Sequence, residues 1–364
     1  MERQQTGTIR TLKSTWPGID FCSNDYLGFS KTCLLSDKLR EEEVTTDNFF
    51  GATGSRLISG NSQFVEDAEK QIALFHHGQS ALIFNSGYDA NLGILSSVPQ
   101  KADLILYDEC IHASIYDGIR LSAATHYKFR HNDIDSLEEL IARHQKNFDN
   151  IYVVVESVYA LDGDTAPLLE LSEICKGAKN IFLVVDEAHA IGVFGNQGRG
   201  LCNAMAVEHL CFARIYTYGK AMGCHGAAIV GSATLRSYLI NFARSFIYTT
   251  ALPNHCINAI RHSYQLLIET KQKDLLQNNI SYFYSKAANI RNCIKSQSAI
   301  HSMLVGSNAG VDELEKALAD KNIHVRPMKS PTVKHGSERV RICIHSFNTK
   351  AEIDLLVETL NNFK

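Results

Sequence analysis

At 364 residues, with 45% hydrophobic and 21% charged residues and a formal net charge of −3, the chain can bury a large core and is expected to divide into two domains. The charge balance excludes the basic surface that nucleic acid selects, and no apolar run reaches the ~18–20 residues of a membrane span. The opening MERQQTGTIRTLKS lacks the apolar centre of a secretory signal, and the 10 cysteines include no CxxC pair. They read as reduced thiols, neither a disulfide framework nor a zinc site, so the cytoplasm is the expected location.

In chain order, residues 1–32 read as a polar N-terminal arm whose Phe21–Ser30 stretch, FCSNDYLGFS, is a loop lying on another surface. Residues 47–62, DNFFGATGSRLISGNS, are glycine-rich: either backbone amides approach an anion, or the loop is a tight connection into a helix at Ser62–His76. Ala81–Asn85 is a short buried strand running into Ser86-Gly87-Tyr88 and a helix to about Val98. A strand, a Ser-Gly turn and a helix N-terminus make a ready phosphate seat, although many such turns bind nothing. Asp103–Tyr107 is the next strand, and His112 follows it, placed either to stack on a flat ring or to join a polar network at a helix start.

Leu137–Phe148 reads as a helix, Ile151–Glu156 as a strand, 159–165 as a turn on Asp162-Gly163, and Leu168–Gly177 as a helix. Ile181–Val185 is an unbroken, mostly β-branched run, as expected of a strand buried on both faces of a parallel sheet. Asp186 ends it, where open α/β sheets keep their ligands, and His189 follows. Ile215–Tyr218 is a further strand leading to Lys220, and 226–231 another. This alternation predicts a doubly wound, mostly parallel sheet flanked by helices over 33–250. A helical stretch at 234–247 is followed by the pattern-breaking YTTALP. From 251 to 364 a smaller α/β domain is expected, with helices near 254–271 and 280–295 and a strand at 340–345 that sets Arg341 on the face of Cys343, opposite Val340 and Ile342.

A carboxylate, a histidine and a lysine delivered by two core strands suit pyridoxal phosphate (PLP), which needs a lysine for its Schiff base and an acid for its ring nitrogen. Rival readings fail on missing parts. VDEAH matches the second motif of helicase-type ATPases, but no GxxxxGK[ST] loop precedes it. No strand is followed by GxGxxG, and no GxSxG is present. Metal binding by His189 with Asp186 or Glu187 lacks any HExxH or paired-histidine spacing.

Taken together the motifs resemble the α-oxoamine synthases, fold type I PLP enzymes. The resemblance runs through SNDYLG (23–28), GSRLISGN (54–61), SGYDAN (86–91), DECIHASIYDG (108–118), HND (131–133) and ESVYALDGD (156–164). It continues through VDEAHAIGVFGNQGRG (185–200), TYGKAMG (217–223), YTTALP (248–253) and PTV (331–333). It implies that Lys220 carries the cofactor and then acts as acid–base at the substrate Cα, that Asp186 holds the ring nitrogen protonated, that His189 meets the phenolic oxygen and that His112 stacks on the ring. It places Ser86, Gly87, Tyr88 and Thr217 at the phosphate, with Thr249 contributing across a homodimer interface. Asn24, His112, Thr332 and Arg341 would meet substrate, Arg341 clamping a carboxylate bidentately.

The implied activity is decarboxylative condensation of L-alanine with a pimeloyl thioester, on coenzyme A or an acyl carrier protein, as in biotin biosynthesis. Glycine C-acetyltransferase, or another acyl-CoA:amino-acid condensation, is the alternative. A non-catalytic partner subunit of the same fold would be expected to lose the lysine, which is present. Three departures stand out. The helix that usually precedes SNDYLG is mostly missing, Ala160 stands where a serine near the phenolic oxygen is common, and Lys329 replaces an arginine before PTV.

Overall fold

The computed structural model describes residue 12 and residues 18–41, 49–294 and 296–363. Residues 47 and 48 of the glycine-rich stretch, and most of the anticipated N-terminal arm, lie outside them. The described chain forms two compact units, one of 18–27, 160–164 and 271–363, the other of 28–41, 49–159 and 165–270.

The larger unit is built on a seven-stranded sheet. Its strands are β1 (Ser80–Phe84), β2 (Leu104–Asp108), β3 (Thr125–Phe129), β4 (Ile151–Glu156), β5 (Ile181–Asp186), β6 (Cys211–Thr217) and β7 (Ala227–Gly231), in the spatial order β1-β7-β6-β5-β4-β2-β3. β7 is antiparallel to β1 and β6, and every other pair is parallel. The central strands are apolar without alternation because both faces are covered. On one face α3 (Gly87–Ser97) and α4 (Ala113–Leu121) set Ile94, Leu95, Ile115 and Ile119 against Val154 and Val184. On the other, α5 (Ile134–His144) and α6 (Leu168–Lys176) set Leu137, Ile141, Leu168 and Leu171 against Val153, Val155, Leu183 and Val185. Successive residues of a strand therefore face different helix layers.

Several boundaries differ from the sequence reading. β6 starts at Cys211 rather than Ile215, and β5 includes Asp186. β3 carries no apolar run. It is an edge strand whose residues 125–128 are exposed, with only Phe129 buried. The stretch 251–270 sits with the larger unit. There the helix Asn254–Glu269 buries Ile257, Ile260, Leu266 and Leu267 and packs on the helices Leu34–Glu41 and Gln63–Phe75.

The smaller unit holds a four-stranded antiparallel sheet in which Arg339–Cys343 lies between Ile300–Leu304 and Arg326–Met328. The helix expected near 280–295 runs instead over Gln272–Lys286, where Leu276, Ile280 and Phe283 form the buried stripe. Its polar opening, 271–274, hides that start from a hydrophobicity pattern. The last helix, Lys350–Asn362, opens on a capping box between Thr349 and Glu352. No helix among the described residues is long and apolar enough to cross a membrane.

Candidate active site

β5 ends by splitting its two acids between the faces of the sheet. Asp186 shares the side of Val184, beneath α3 and α4. Its Oδ2 receives Asn91 Nδ2 at 2.7 Å and its Oδ1 receives the Ala188 amide at 2.9 Å. Glu187 turns the other way and accepts the amides of Leu201 (2.8 Å) and Cys202 (2.7 Å) and the hydroxyl of Ser157 (3.0 Å). The loop GVFGNQGRG serves this second acid. Gly200 has φ +110°, and a Cβ there would lie 2.6 Å from Glu187 Oε2. Because the acids part in this way, they do not form a joint metal site with His189.

His189 is buried, and its Nε2 lies 2.8 Å from Lys220 Nζ, just beyond β6. His112 caps α4: its Nδ1 accepts the Ser114 amide at 3.2 Å and sits 2.8 Å from Ser114 Oγ. An amide can only donate, so Nδ1 is the acceptor and the ring is neutral with its proton on Nε2. Desolvation first, and the Lys220 ammonium second, push the pKa of His112 down, with Asp186 opposing. Asn91 Nδ2 also donates to Ser114 Oγ at 3.0 Å, so a continuous chain runs from Asp186 through Asn91 and Ser114 to His112. Asn91 and Ser114 lie inside recognised motifs but were not singled out. An i, i+4 offset from Gly87, on the helix face turned to the sheet, is the signal that marks Asn91.

Ser86 caps α3, accepting the Asp89 amide at 3.1 Å, and leaves the amides of Gly87 and Tyr88 at the open end of the helix. Thr217 Oγ1 sits against this turn, 2.1 Å from where a Gly87 Cβ would fall. The position therefore admits only glycine beside this threonine. Thr249 lies in the same unit, its Oγ1 accepting Asn85 Nδ2 at 2.9 Å, one residue before Ser86.

Arg341 belongs to the smaller unit and is buried there on Arg339–Cys343. Its Nε donates to Ala160 O at 2.6 Å, and its Nη2 donates to Asn24 Oδ1 at 2.9 Å and to Tyr26 Oη at 3.2 Å. Among the described residues no carboxylate pairs with it. A guanidinium buried among neutral acceptors is poised for an anion. Ala160, the departure from the usual serine, thus takes part through its backbone oxygen. Thr332 is exposed, with its amide on Lys329 O at 2.8 Å, and the Lys329 ammonium pairs with Asp312.

In the larger unit, then, lie a lysine on a histidine, a buried carboxylate fixed by two N–H donors, and a helix N-terminus cleared by a glycine. Those groups fit PLP: an amine for its aldehyde, a carboxylate for its ring nitrogen and a donor cradle for its phosphate. Comparison with known proteins agrees. The family model for aminotransferase class I and II matches residues 17–360, and the chain belongs to that family of PLP-dependent enzymes. Within it, the chain is an α-oxoamine synthase of acyltransferase type, resembling 8-amino-7-oxononanoate synthase. It is 39% identical to the 8-amino-7-oxononanoate synthase of Emericella nidulans, over 94% of this chain and 88% of that one. It is 33% identical to the aminoacyl transferase sphA of Byssochlamys spectabilis, over 99% and 85%. A serine palmitoyltransferase from S. paucimobilis, solved with bound PLP, superposes with a TM-score of 0.86 at 26% identity, covering 94% of this chain and 86% of that one.

Proposed function

We propose that this enzyme condenses L-alanine with a pimeloyl thioester, releasing the carrier thiol and carbon dioxide, to give 8-amino-7-oxononanoate for biotin synthesis. The observation that carries the chemistry is the 2.8 Å approach of Lys220 Nζ to His189 Nε2, on the sheet edge that also holds Asp186. The 39% identity to an 8-amino-7-oxononanoate synthase favours these substrates.

PLP, when bound, supplies a ring that takes up the electron pair released at the substrate Cα. Asp186, fixed by its two N–H donors, would hold the ring nitrogen protonated. Ser86, Gly87, Tyr88 and Thr217 would seat the phosphate. His189 would donate to the phenolic oxygen, and His112, neutral and fixed by Ser114, would lie flat against the ring. Lys220 would hold the cofactor through its amine, and the same amine would take the proton from the substrate Cα and return one there. Arg341, with Asn24, would receive the amino-acid carboxylate, with Thr332 towards the acyl chain.

The same reading makes the chain a cytoplasmic homodimer to which Thr249 contributes across the interface. Supporting it, Phe50, Ile58 and Tyr248 are large, exposed apolar side chains, and no disulfide joins the described cysteines. Similarity to sphA and to a serine palmitoyltransferase supports the second reading, an acyl-CoA condensation with another amino acid such as serine or glycine.

The test is thiol release from pimeloyl-CoA by the PLP-loaded enzyme. Release that requires L-alanine, and not serine or glycine, is expected. Release dependent on serine with a long-chain acyl-CoA would move the enzyme to the second reading. Lys220→Ala should lower turnover by at least ~10²–10⁴-fold and abolish the absorbance of the lysine-bound cofactor.

A further inference from the structure

Glu156 is a further buried acid at the candidate site. It ends β4 as Asp186 ends β5, and the two are register partners in the parallel pair. Partners in a parallel pair point to the same face, as Val154 and Val184 do two residues earlier in the same core cluster. The two side chains therefore leave neighbouring strands, whose backbones lie ~4.8 Å apart, on the same face, and Asp186 acts electrostatically on the Glu156 carboxyl. Both are almost fully buried, at 2% and 4% exposure.

Their surroundings differ. Asp186 is fixed by Asn91 and Ala188, whereas Glu156 Oε1 has no hydrogen-bond partner at all. The backbone amide of His112 is near enough to favour the charged form of the Glu156 carboxyl, as does Lys220. The titratable groups facing it are Asp186 from β5, Lys220 beyond β6, Asp108 at the end of β2 and His112 at the head of α4. Two of these are anions or potential anions, and Asp108 is already held by His131.

Two carboxylates this close in a dry site do not both ionise, and the one with donors keeps the charge. We infer that Glu156 is a neutral, proton-bearing acid that stands beside Asp186 at the candidate cofactor site and supports His112 through its backbone amide. Burial first, and Asp186 second, push its pKa up to about 8, in the same direction as the geometry. Glu187, on the opposite face, is also pushed up by burial, but its three donors oppose the shift. Glu156 acts as a positioning residue, and the inference rests on the proposed roles of Asp186 and His112.

The test is made on the purified enzyme and its Glu156→Gln variant, which replaces a neutral acid with a neutral amide of the same shape. An infrared carbonyl band of a protonated carboxyl should be present in the parent at pH 6.5, fade through about pH 8 and be missing from the variant. In the parent, unfolding between the ordinary glutamate pKa and about 8 releases this proton, so the contribution of Glu156 to stability falls with rising pH, and the variant lacks that contribution. The melting temperature of Glu156→Gln relative to the parent should thus climb from pH 5 to pH 8 and then level off. PLP affinity of the variant at pH 7 should stay within about threefold of the parent's. A flat or declining difference in melting temperature, or the same infrared band in both proteins, would overturn the inference. The infrared and melting measurements need no substrate. A climbing difference in a protein that releases no thiol from pimeloyl-CoA would overturn the substrate assignment alone.

Discussion

At the scale of single residues, the site depends on a few atoms for which small changes have large and separable effects. Gly87→Ala would drive a Cβ to 2.1 Å from Thr217 Oγ1 at the proposed phosphate seat. Overpacking of this kind costs about 1–3 kcal/mol, so PLP should bind roughly 10–100-fold more weakly by equilibrium dialysis, and Thr217→Ala in the same chain should restore much of the loss. Arg341→Lys keeps the charge but loses the fork that holds Asn24 and Ala160 O together. The KM for the amino acid should rise about tenfold or more, with the absorbance of bound PLP unchanged. Equal loss of PLP would show that Arg341 holds the fold of its unit rather than the substrate. The chemical identities of Lys220, Asp186, His189 and Arg341 were legible in the sequence, because each follows or occupies a short strand. The partners that hold them, Asn91 for Asp186 and Ser114 for His112, were not. A hydrogen bond between residues 95 positions apart leaves no periodic trace.

At the scale of elements, the sheet is read well where it is dry. β4 and β5 are continuous apolar runs because helices cover both faces, and truncation there should cost accordingly. Leu183→Ala in β5, fully buried, should destabilise the protein by about 2–5 kcal/mol in denaturant titration. Gly200→Ala should also destabilise, since its φ of +110° and the approach to Glu187 Oε2 leave no room for a side chain. β3 was invisible because an edge strand with one buried residue in five has no hydrophobic signature. The helix at Gln272–Lys286 was displaced for a similar reason, its polar first turn resembling the loop before it.

At the scale of the whole molecule, the buried histidines set a one-sided pH dependence. His301 is enclosed in the smaller unit, its Nδ1 accepting the Ser296 amide, and burial lowers its pKa to about 3. His76 and His345 are lowered for the same reason. A histidine whose pKa is lower in the folded state than in the unfolded one takes up a proton on unfolding. Its neutral form therefore costs nothing above the ordinary value of 6.5, and stability falls as pH drops from there towards 3. The slope from His301 alone is about 1.4 kcal/mol per pH unit at most, and His301→Gln should flatten the acid limb of unfolding free energy against pH, read by denaturant titration, by up to that much.

What the sequence determined alone was local and compositional. The α/β class and the approximate elements follow from periodicity, and the PLP chemistry from residue types at strand ends. The family follows from ten motifs in order. What only the tertiary structure decided was which groups meet and which charges survive. It sent Asp186 and Glu187 to opposite faces, set Glu156 beside Asp186 and kept 251–270 with the larger unit. Those outcomes depend on strand register and on which helix covers which face, and register is fixed by packing between segments far apart in the chain.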